Sequence, residues 1–544
     1  MEKSKLQIFK LDLINFLCCN RTKLVTNLSQ RFYTNLVSSI LNLISFSAPI
    51  PVNCVSNPIV VSVNCLHRPR PTWKYDDYLL GVQIYYGTRV VTKAGVAKCS
   101  NDTSGGLFAR LTFGQWLTFD NNAICTLPRE ARLIFVLYGI QSAEQVEPQP
   151  SPDNGEQQRK NDSAPTELGW FAIQLFDFKR EMICGSYLLS MWPATSPRLL
   201  GPAPARGCHP SPDVCPVLSI EIPSFGGRIQ FPKPVQNPKP APRYDFNSLD
   251  TNLQHELADT AKHGYQGATD TREVFWEKRL YLQSFPHALA KVLHAAHSWD
   301  YANLIDLHTL LHSWSPLMPL QALELLLPRY ADATVREKAV EWISKLPNDQ
   351  LVDYLPQLLQ ALKHDTYEAS SMARFLLCKS MESPRIAHHM YWLLLHSLPG
   401  DDPQNSHDDS SQAKELDESL ITQARYLRRN KIMLRALLAI CGEKLSARFL
   451  RQNMMCKSLA SVADNVKRVK DSKKLDTLWY GMEILQKELL DKPTTLPLGP
   501  ELEVTGVNVN SCSYFNSNTL PLKISYIGPD REILPAIFKV DSPF

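Results

Sequence analysis

The spacing of the apolar residues changes near residue 270, and this change limits the folds that the chain can adopt. In the stretch 78–86 apolar residues occupy every second position, which is typical of a strand with one buried face. In the stretch 335–346 they recur with the 3.6-residue period of a helix that buries one face. The sequence therefore predicts a multidomain protein, with an antiparallel β-sandwich followed by an all-α solenoid of helical repeats.

Several short runs within residues 56–233 have the composition of strands. They are 78–86, 132–138, 171–175 and 217–222, and turn residues separate them. Two polar inserts, 141–166 and 193–216, hold too few apolar residues to order themselves and are predicted to be disordered. Short strands joined by such loops favour a sandwich.

A proline-rich segment, 234–261, is predicted to be an extended linker. Within the following region, 262–400, helical blocks recur at 287–313, 319–329, 335–346, 349–363, 368–380 and 384–396. Thr334 and Glu337 have the spacing of a capping box at the start of the third block. The spacing of the blocks favours a stack of paired helices.

The two ends of the chain are different in character from its centre. An acidic loop is predicted over 401–412, and the helical period continues over 413–492. In 493–544 the pattern returns to short strands. Residues 1–55 carry no pattern that assigns them to a domain, and they lack the uninterrupted apolar stretch of a signal peptide.

Composition and charge exclude several classes of protein. The 544 residues suggest three or four domains. Their 58 basic and 54 acidic residues give a net charge of +4, which argues against a globally polybasic protein that binds nucleic acid. The 13 cysteines are scattered, as in a reduced cytoplasmic protein. No stretch has the roughly 20 apolar residues that a bilayer span needs.

Motifs in both central regions resemble the phosphoinositide 3-kinases, and the class II enzymes most of all. Those in the β region are similar to the internal C2 domain of these kinases: Tyr75-Asp-Asp-Tyr-Leu-Leu-Gly-Val-Gln-Ile-Tyr-Tyr-Gly87, Trp116-Leu-Thr-Phe119 and Leu127-Pro-Arg-Glu-Ala-Arg-Leu133. Those in the helical region are similar to the accessory helical (PIK) domain: Trp276-Glu-Lys-Arg279, Ser298-Trp-Asp300, Leu320-Gln-Ala-Leu-Glu-Leu-Leu326, Ala339-Val-Glu-Trp342 and Arg385-Ile-Ala-His388. The resemblance covers roughly residues 56–540.

The segment 493–544 resembles the first strands of the kinase N-lobe, which implies a partial N-lobe of a few strands. Phe538-Lys-Val540 is similar to the strand that bears the ATP-binding lysine, which would be Lys539. The stretch 511–518 resembles the loop that covers the phosphates, which would place Ser513 and Asn516 beside ATP. This loop has no glycine, unlike glycine-rich phosphate loops, and the chain departs from the family after Val540.

The resemblance implies a fragment of a lipid kinase. In the complete enzymes of the family, ATP with Mg²⁺ phosphorylates the 3-hydroxyl of membrane phosphoinositides. In this chain we expect no catalytic residues, no metal ligands and no productive binding of either cofactor, so the chain alone should be inactive. The alternative is a non-catalytic scaffold or competitor that uses the same sandwich and solenoid.

The expected partner is an anionic membrane lipid surface, bound weakly and without calcium, and the expected location is the cytoplasm and the periphery of membranes. Asp76 and Asp77 lack the further clustered carboxylates that Ca²⁺ needs, since it takes six to eight oxygen ligands. We therefore interpret them as a charged start of a strand. No nucleic acid is expected.

Other candidate sites have plainer interpretations. His294, His297 and Asp300 have the spacing of one helix face and could seat a metal, although a solvated face is favoured. The adjacent pair His388–His389 points apart on a helix and is discounted as a site. The basic run 448–474 could meet anionic lipid, but the aspartates within it favour a solvated pair of helices.

Overall fold

A computed structural model gives the structure of the chain, and it describes residues 48–100, 110–141, 165–194, 215–235, 238–263, 269–398 and 418–540. The chain forms two compact units. One comprises Met1–Ile50 and Phe225–Ile229, and in its described part the backbone N–H of Ile50 donates to the carbonyl oxygen of Arg228 at 2.8 Å. The other comprises Pro51–Ser224 and Gln230–Phe544 and holds every site discussed below.

Twelve short strands precede the helices in the described residues. They are β1 (Ile50–Pro51), β2 (Pro58–His67), β3 (Asp77–Tyr86), β4 (Arg89–Val90), β5 (Gly95–Lys98), β6 (Arg110–Ala123), β7 (Arg132–Ile140), β8 (Thr166–Gln174), β9 (Gly185–Ser190), β10 (Trp192–Pro193), β11 (Val217–Ile222) and β12 (Ile229–Gln230). One antiparallel sheet has the order β10-β8-β7-β3-β4, with β5 also on β3, and the other has the order β6-β2-β11-β9. The predicted antiparallel β-sandwich is confirmed.

The alternation of apolar residues explains how the two sheets bury a core. On β3 Leu80, Val82 and Ile84 are fully buried, and on β2 Val61 and Val63 are too. A second apolar cluster covers the other side of β7 and β8, where the indole rings of Trp170 and Trp192 stack at 5.8 Å. The first sheet is therefore apolar on both faces around β7, which explains the near-continuous apolar run that the sequence shows there.

The helices begin after the sandwich and continue to residue 491. They are α1 (Thr251–His263), α2 (Thr269–Glu277), α3 (Leu289–Ala295), α4 (Tyr301–Ser313), α5 (Pro319–Ala322), α6 (Ala333–Ile343), α7 (Asn348–Leu362), α8 (Ser371–Glu382), α9 (Pro384–His396), α10 (Glu418–Ile440), α11 (Gly442–Arg468) and α12 (Asp471–Asp491). The predicted all-α region is confirmed. No helix in the described ranges is long and apolar enough to cross a membrane.

The structure places ordered elements within or at the edge of three segments that the sequence predicts to be extended or disordered. Helix α1 lies inside the predicted linker 234–261, because Thr251–His263 buries Leu257 and Ala261. Strand β8 begins at residue 166 and β10 ends at residue 193, so each strand includes one residue of a predicted insert. The remainder of those inserts and the predicted acidic loop 401–412 lie outside the described residues.

The predicted capping box of Thr334 and Glu337 is also wrong. Helix α6 starts two residues earlier, and the side chain of Asp332 is its N-cap, accepting a hydrogen bond from the Val335 N–H at 2.8 Å. The predicted block 287–313 is two helices, since Ala296 has extended backbone angles that end α3. Asp300 then caps the start of α4 by accepting from the Asn303 N–H at 3.0 Å.

Short strands follow α12, as the sequence predicts. They are β13 (Thr494–Thr495), β14 (Glu503–Val504), β15 (Gly506–Val507), β16 (Ser513–Tyr514), β17 (Leu522–Ile527) and β18 (Ile533–Phe538). We call β15–β18 the C-terminal sheet, in which β17 pairs with β15 and β16 on one side and with β18 on the other. Its buried face shares one apolar core with α11 and α12, including Leu522, Ile524 and Met482.

Candidate functional site

The C-terminal sheet holds the residues that the sequence assigns to ATP. Ser513 on β16 pairs with Lys523 on β17, and Lys523 pairs with Ile537 on β18. Paired residues in an antiparallel sheet project from the same face. Lys539 lies immediately after β18, two residues beyond Ile537, and is exposed while Phe538 and Val540 pack on the core. The fold therefore brings Ser513, Lys523 and Lys539 to one exposed face.

Asn516 is not part of this face. It lies in the exposed loop between β16 and β17, which is closed by a hydrogen bond from the Phe515 N–H to the Pro521 carbonyl at 2.9 Å. Lys523 was not singled out from the sequence. The signal that could have identified it is its place in Pro521-Leu-Lys523, because an alternating strand that buries Leu522 must expose its neighbour.

The exposed face offers ammonium and hydroxyl groups, which suit phosphate oxygens, but no ligand set for a divalent metal accompanies them. Among the described residues no group of three or more His, Cys, Asp or Glu side chains could hold an ion. Mg²⁺ in kinases is held by acidic side chains together with the phosphates. The described residues thus fit part of an ATP site but do not fit the metal, and no phosphoryl-transfer step can be derived from them.

Polar side chains of the helical region anchor the segment 494–497, which leads from α12 toward the C-terminal sheet. His388 on α9 contacts the Pro497 carbonyl through Nε2 at 2.9 Å, and burial lowers the pKa of this imidazole. Gln452 on α11 is fully buried and donates to Thr495 Oγ1 at 2.6 Å, while it accepts from Trp392 Nε1 at 3.2 Å. His388, which the sequence discounted as a site, therefore has a structural role.

A second cluster of charged groups lies where the sandwich meets the helices. We call it the sandwich–helix joint, and its members are Arg129, Glu130, His308, Asp332 and Tyr367. Glu130 Oε1 accepts from the Ala333 N–H at 3.3 Å and lies 3.6 Å from Arg129 Nη1. Tyr367 donates to the Phe176 carbonyl at 3.3 Å, and its ring lies 4.6 Å from the Arg129 guanidinium carbon. The sandwich–helix joint thus brings residues about 200 positions apart in sequence into contact.

Burial controls the ionisation of the joint. It raises the pKa of Glu130 to about 7, and the neighbouring charge of Asp332 acts in the same direction. Burial also acts to raise the pKa of Asp332, but the charge and hydrogen bond of His308 outweigh it and leave that pKa below its usual value. For His308 burial acts to lower the pKa, and Asp332 reverses the shift, so the pKa is raised.

Apolar and neutral contacts extend the joint on both sides. The rings of Tyr86 and Trp299 stack at 5.5 Å, and those of Phe231 and Tyr301 meet edge-on at 5.9 Å. Gln174 Nε2 donates to the Thr366 carbonyl at 2.5 Å. These contacts bury aromatic surface between the sandwich and the helices, which indicates a fixed arrangement of the two within this unit.

Sequence reasoning missed the joint. Arg129 and Glu130 lie in the stretch Leu127–Leu133, which was used only for its resemblance to a family. Two charged residues directly before the apolar run 132–140 were a usable signal, because such residues are seldom buried without partners. Nothing local indicated that the partners would come from the helices.

The remaining candidates are separated by the fold. Asp76 and Asp77 lie at the exposed start of β3. His294 lies at the end of α3, His297 follows it and Asp300 caps α4, so the idea of one helix face is wrong. The basic run 448–474 covers most of α11 and the start of α12, where Lys474 pairs with Asp471 at 2.8 Å.

Two family models match the regions just described. The phosphoinositide 3-kinase C2 model matches residues 74–198, and the model of the phosphoinositide 3-kinase family accessory (PIK) domain matches residues 264–433. They occur in the order of the sandwich and the helices. The chain belongs to the phosphoinositide 3-kinase family. The match to the accessory-domain model ends at residue 433, within α10.

Curated relatives of the family align with most of the chain. It is 32% identical over 488 residues to the phosphatidylinositol 4-phosphate 3-kinase C2 domain-containing subunit beta of Homo sapiens, which covers 88% of this chain and 28% of that protein. It is 32% identical over 421 residues to the corresponding subunit alpha of Pongo abelii, an alignment that covers 77% of this chain and 23% of that protein. It is 26% identical over 481 residues to phosphatidylinositol 3-kinase piki-1 of Caenorhabditis elegans, which covers 86% of this chain and 28% of that protein. The chain spans about a quarter of the length of these relatives.

Proposed function

We propose that this chain is the C2 and helical portion of a class II phosphoinositide 3-kinase, and that its parent reaction is ATP-dependent phosphorylation of the inositol 3-hydroxyl of membrane phosphoinositides. The observation that carries the proposal is the ordered match of the C2 and accessory models to the sandwich and the helices. The names of the C2 domain-containing relatives support class II.

In this proposal the helical region acts as a support for the domains on either side of it. The sandwich–helix joint holds the C2 domain through buried charged and aromatic groups. At the other end of the helices, His388 and Gln452 hold the segment 494–497, which leads into the C-terminal sheet. A lipid kinase needs its nucleotide site at a defined position relative to the membrane. A helical region that makes fixed contacts with the C2 domain on one side and with the strands after α12 on the other would supply such a position.

The proposed membrane contact is the outer face of the sheet β6-β2-β11-β9. Across this sheet Trp116 pairs with Ser62, Ser62 with Glu221, and Glu221 with Ser186, so these four residues project from the same face. Leu188 lies two residues after Ser186 on β9 and therefore projects from that face as well. The side chains of Trp116 and Leu188 are 56% and 64% exposed. Exposed Trp and Leu side chains favour the interface between water and lipid, and no carboxylate cluster is needed for that contact.

The proposed ATP contact is the exposed face of the C-terminal sheet. Lys539 would approach the phosphates as a point charge, as the lysine on a strand does in kinases, with Ser513 on the same face and Asn516 in the adjoining loop. The complete enzymes of the family use ATP and Mg²⁺. The acidic ligands and the base would have to come from residues other than those described.

The decisive experiment recovers the protein from its source cells with an antibody against residues 262–400 and measures ATP-dependent phosphorylation of phosphatidylinositol vesicles. The 3-phosphorylated lipid is the expected product. Recovered protein that binds the vesicles but forms no such product would overturn the proposal and favour the non-catalytic scaffold. Amplification of the transcript past the codon for Val540 provides a parallel test, since a kinase transcript must encode further catalytic loops.

A further inference from the structure

One edge of the sandwich is open beside the helical region. Strand β4 ends the sheet order β10-β8-β7-β3-β4, and no strand in the described ranges pairs with its outer side. The Val91 N–H donates to the Ile84 carbonyl at 2.8 Å, so the backbone groups of Val91 point toward β3. Backbone groups of successive strand residues point to alternate sides. Val90 therefore directs its N–H and its carbonyl outward, and its side chain is 44% exposed.

Further along, the same edge of the sheet is closed by a side chain. At β5 the Lys98 N–H donates to Gln115 Oε1 at 3.2 Å, and Gln115 Nε2 donates back to the Lys98 carbonyl at 3.1 Å. Folded proteins usually cover an edge in some such way, because another extended chain can pair with an open one. The edge is therefore protected at β5 and left open at Val90.

Strand β4 is held in place against the helical region. Gly87, in the turn before it, has a φ of 57°, and a Cβ atom there would lie 2.7 Å from the Pro328 carbonyl oxygen. Only glycine tolerates both this backbone and this approach. Arg89 Nη1 donates to the Ala296 carbonyl at 3.0 Å, and Arg272 Nη2 donates to the same oxygen at 3.4 Å. The open edge is consequently fixed in position.

A cleft runs along this edge, with about 670 Å³ of empty space including its open mouth. Arg89, Val90 and Val91 all line it. Since successive side chains of a strand project from opposite faces, a cleft that touches three consecutive residues lies beside the backbone of the strand. The other lining residues come from the stretches 122–128 and 297–299, and the cleft therefore lies between the sandwich and the helical region.

The described lining of the cleft carries basic groups and no acidic one. Arg89 and His297 are both exposed there. The carboxylate of Asp300, close by in sequence, is occupied by hydrogen bonds from the Ser298 hydroxyl at 3.0 Å and from the Asn303 N–H at 3.0 Å. A guanidinium presents five N–H donors, and the bond to the Ala296 carbonyl uses one donor of Arg89. The cleft thus joins open backbone groups to a positive charge.

We propose that this cleft binds an extended acidic peptide of a partner protein, which adds to β4 as an antiparallel strand. One peptide residue would exchange two backbone hydrogen bonds with Val90. Its two neighbours would project from the face that Arg89 occupies, because paired residues share a face and successive residues alternate. A glutamate at either place would pair with Arg89. In this mode of recognition main-chain bonds supply affinity and side chains supply specificity.

The short length of β4 makes the ion pair important. Its outer side offers the donor and the acceptor of Val90 alone, so two backbone bonds are the most that the edge provides. Capping of α3 accounts for one bond of Arg89 and leaves the rest of its guanidinium for the peptide. The proposal is independent of the proposed kinase reaction, because peptide binding requires neither ATP nor lipid.

The test is fluorescence polarisation of a dye-labelled peptide, Ser-Glu-Val-Glu-Ser, titrated with the full chain at low salt. The wild type should bind it saturably. The same peptide with an N-methyl group on its valine should bind at least about fivefold more weakly, because it lacks the donor for the Val90 carbonyl. This comparison changes the peptide alone, so it does not depend on the folding of a variant. Lysine in place of both glutamates should abolish binding.

A protein variant tests the ion pair. Arg89→Gln should weaken binding of the glutamate peptide about tenfold, the loss expected for one charged hydrogen bond. The matched control is Arg110→Gln, which removes an exposed arginine at the start of β6 and should leave binding unchanged. Thermal midpoints of both variants show whether they are folded.

Four results would overturn the proposal. They are no binding by the wild type, equal binding of the methylated peptide, equal binding of the lysine peptide, and equal effects of Arg89→Gln and Arg110→Gln. Absence of lipid kinase activity would change none of these measurements, so failure of the proposed function and failure of this proposal are distinguishable.

Discussion

His308 and Asp332 form a buried ion pair between two helices, with His308 Nε2 lying 3.1 Å from Asp332 Oδ1. The same carboxylate oxygen accepts from the Val335 N–H and caps α6. One side chain therefore sets both the start of a helix and the packing of that helix against α4. Glu130 of the sandwich accepts a hydrogen bond from the backbone N–H of Ala333, the residue after Asp332, so this short segment connects the C2 domain to the accessory domain.

We predict that Asp332→Asn destabilises the protein by about 2–4 kcal/mol, because it leaves His308 without its buried counter-charge. Asparagine is as good an N-cap as aspartate, so the loss reports the ion pair and not the cap. Urea unfolding followed by circular dichroism measures it. Asp349→Asn, at a position whose side chain is 88% exposed, is the control and should change stability by less than about 0.5 kcal/mol. Equal effects of the two substitutions would contradict the prediction.

We predict that Glu130 makes the protein less stable as the pH rises. Its pKa in the folded protein is about 7 against an ordinary value of 4.5, so folding favours the protonated form. Its contribution is fully present below about pH 4.5 and is lost as the pH rises through 7. The loss should be on the order of 3–4 kcal/mol, at about 1.4 kcal/mol per pKa unit.

Unfolding of the wild type and of Glu130→Gln at pH 5 and pH 8 tests this prediction. The variant should be less sensitive to pH across this interval. The variant should keep the part of the pH dependence of stability that comes from His308. The pKa of His308 is also raised in the folded protein, so His308 contributes stability that is lost at high pH. A variant with the full pH dependence of the wild type would show that Glu130 is already ionised at pH 5.

We predict that the helical region is stable as a fragment only when it includes α10. Arg429 of α10 donates through Nη1 to the Leu362 carbonyl at 2.6 Å and to the Asp365 carbonyl at 2.8 Å, where α7 ends. Both oxygens lose their partner in a fragment that stops at residue 400. Fragments 262–440 and 262–400 should therefore melt with different midpoints, the shorter one lower and less cooperative. Identical melts would indicate that α10 is dispensable.

We predict that vesicle binding by the C2 domain is independent of calcium. Sedimentation with anionic vesicles should give the same bound fraction with calcium and with a chelator. Among the described residues, no further side chains join Asp76 and Asp77 in a group that could hold an ion. Trp116→Ala should weaken binding several-fold, whereas Thr118→Ala, at an exposed position of the same strand, should not. A calcium-dependent gain of about tenfold would contradict the first expectation.

We predict that the chain by itself has no phosphotransferase activity. Phosphoryl transfer requires Mg²⁺ on acidic ligands, and no group of three or more His, Cys, Asp or Glu side chains among the described residues could hold a metal ion. Radiolabelled ATP and phosphatidylinositol vesicles provide the assay. Formation of phosphorylated lipid by the wild type and not by Lys539→Ala would show that this prediction is wrong.

The type of a secondary-structure element, and often its bounds, could be predicted from the sequence wherever one face of the element is buried. Strand β11, Val217–Ile222, and helix α9, Pro384–His396, have the predicted bounds. In both, the period of the apolar residues reports burial directly, because a strand buries every second side chain and a helix buries a stripe. The β-sandwich, the helical region and the return to strands after residue 493 follow from this one property of the sequence.

The contacts between elements were decided by the tertiary structure. Glu130 and Ala333 are about 200 residues apart, and no local pattern relates them. The sequence predicts Thr334 as the cap, whereas Asp332 is the cap in the structure. The choice between two capping residues so close in sequence depends on which one has a buried partner such as His308. Arg89 and Arg272 likewise meet at one carbonyl only because a glycine turn of the sandwich packs on the helices. Periodicity records how much of each element is buried, but the partner across each interface depends on packing between distant segments.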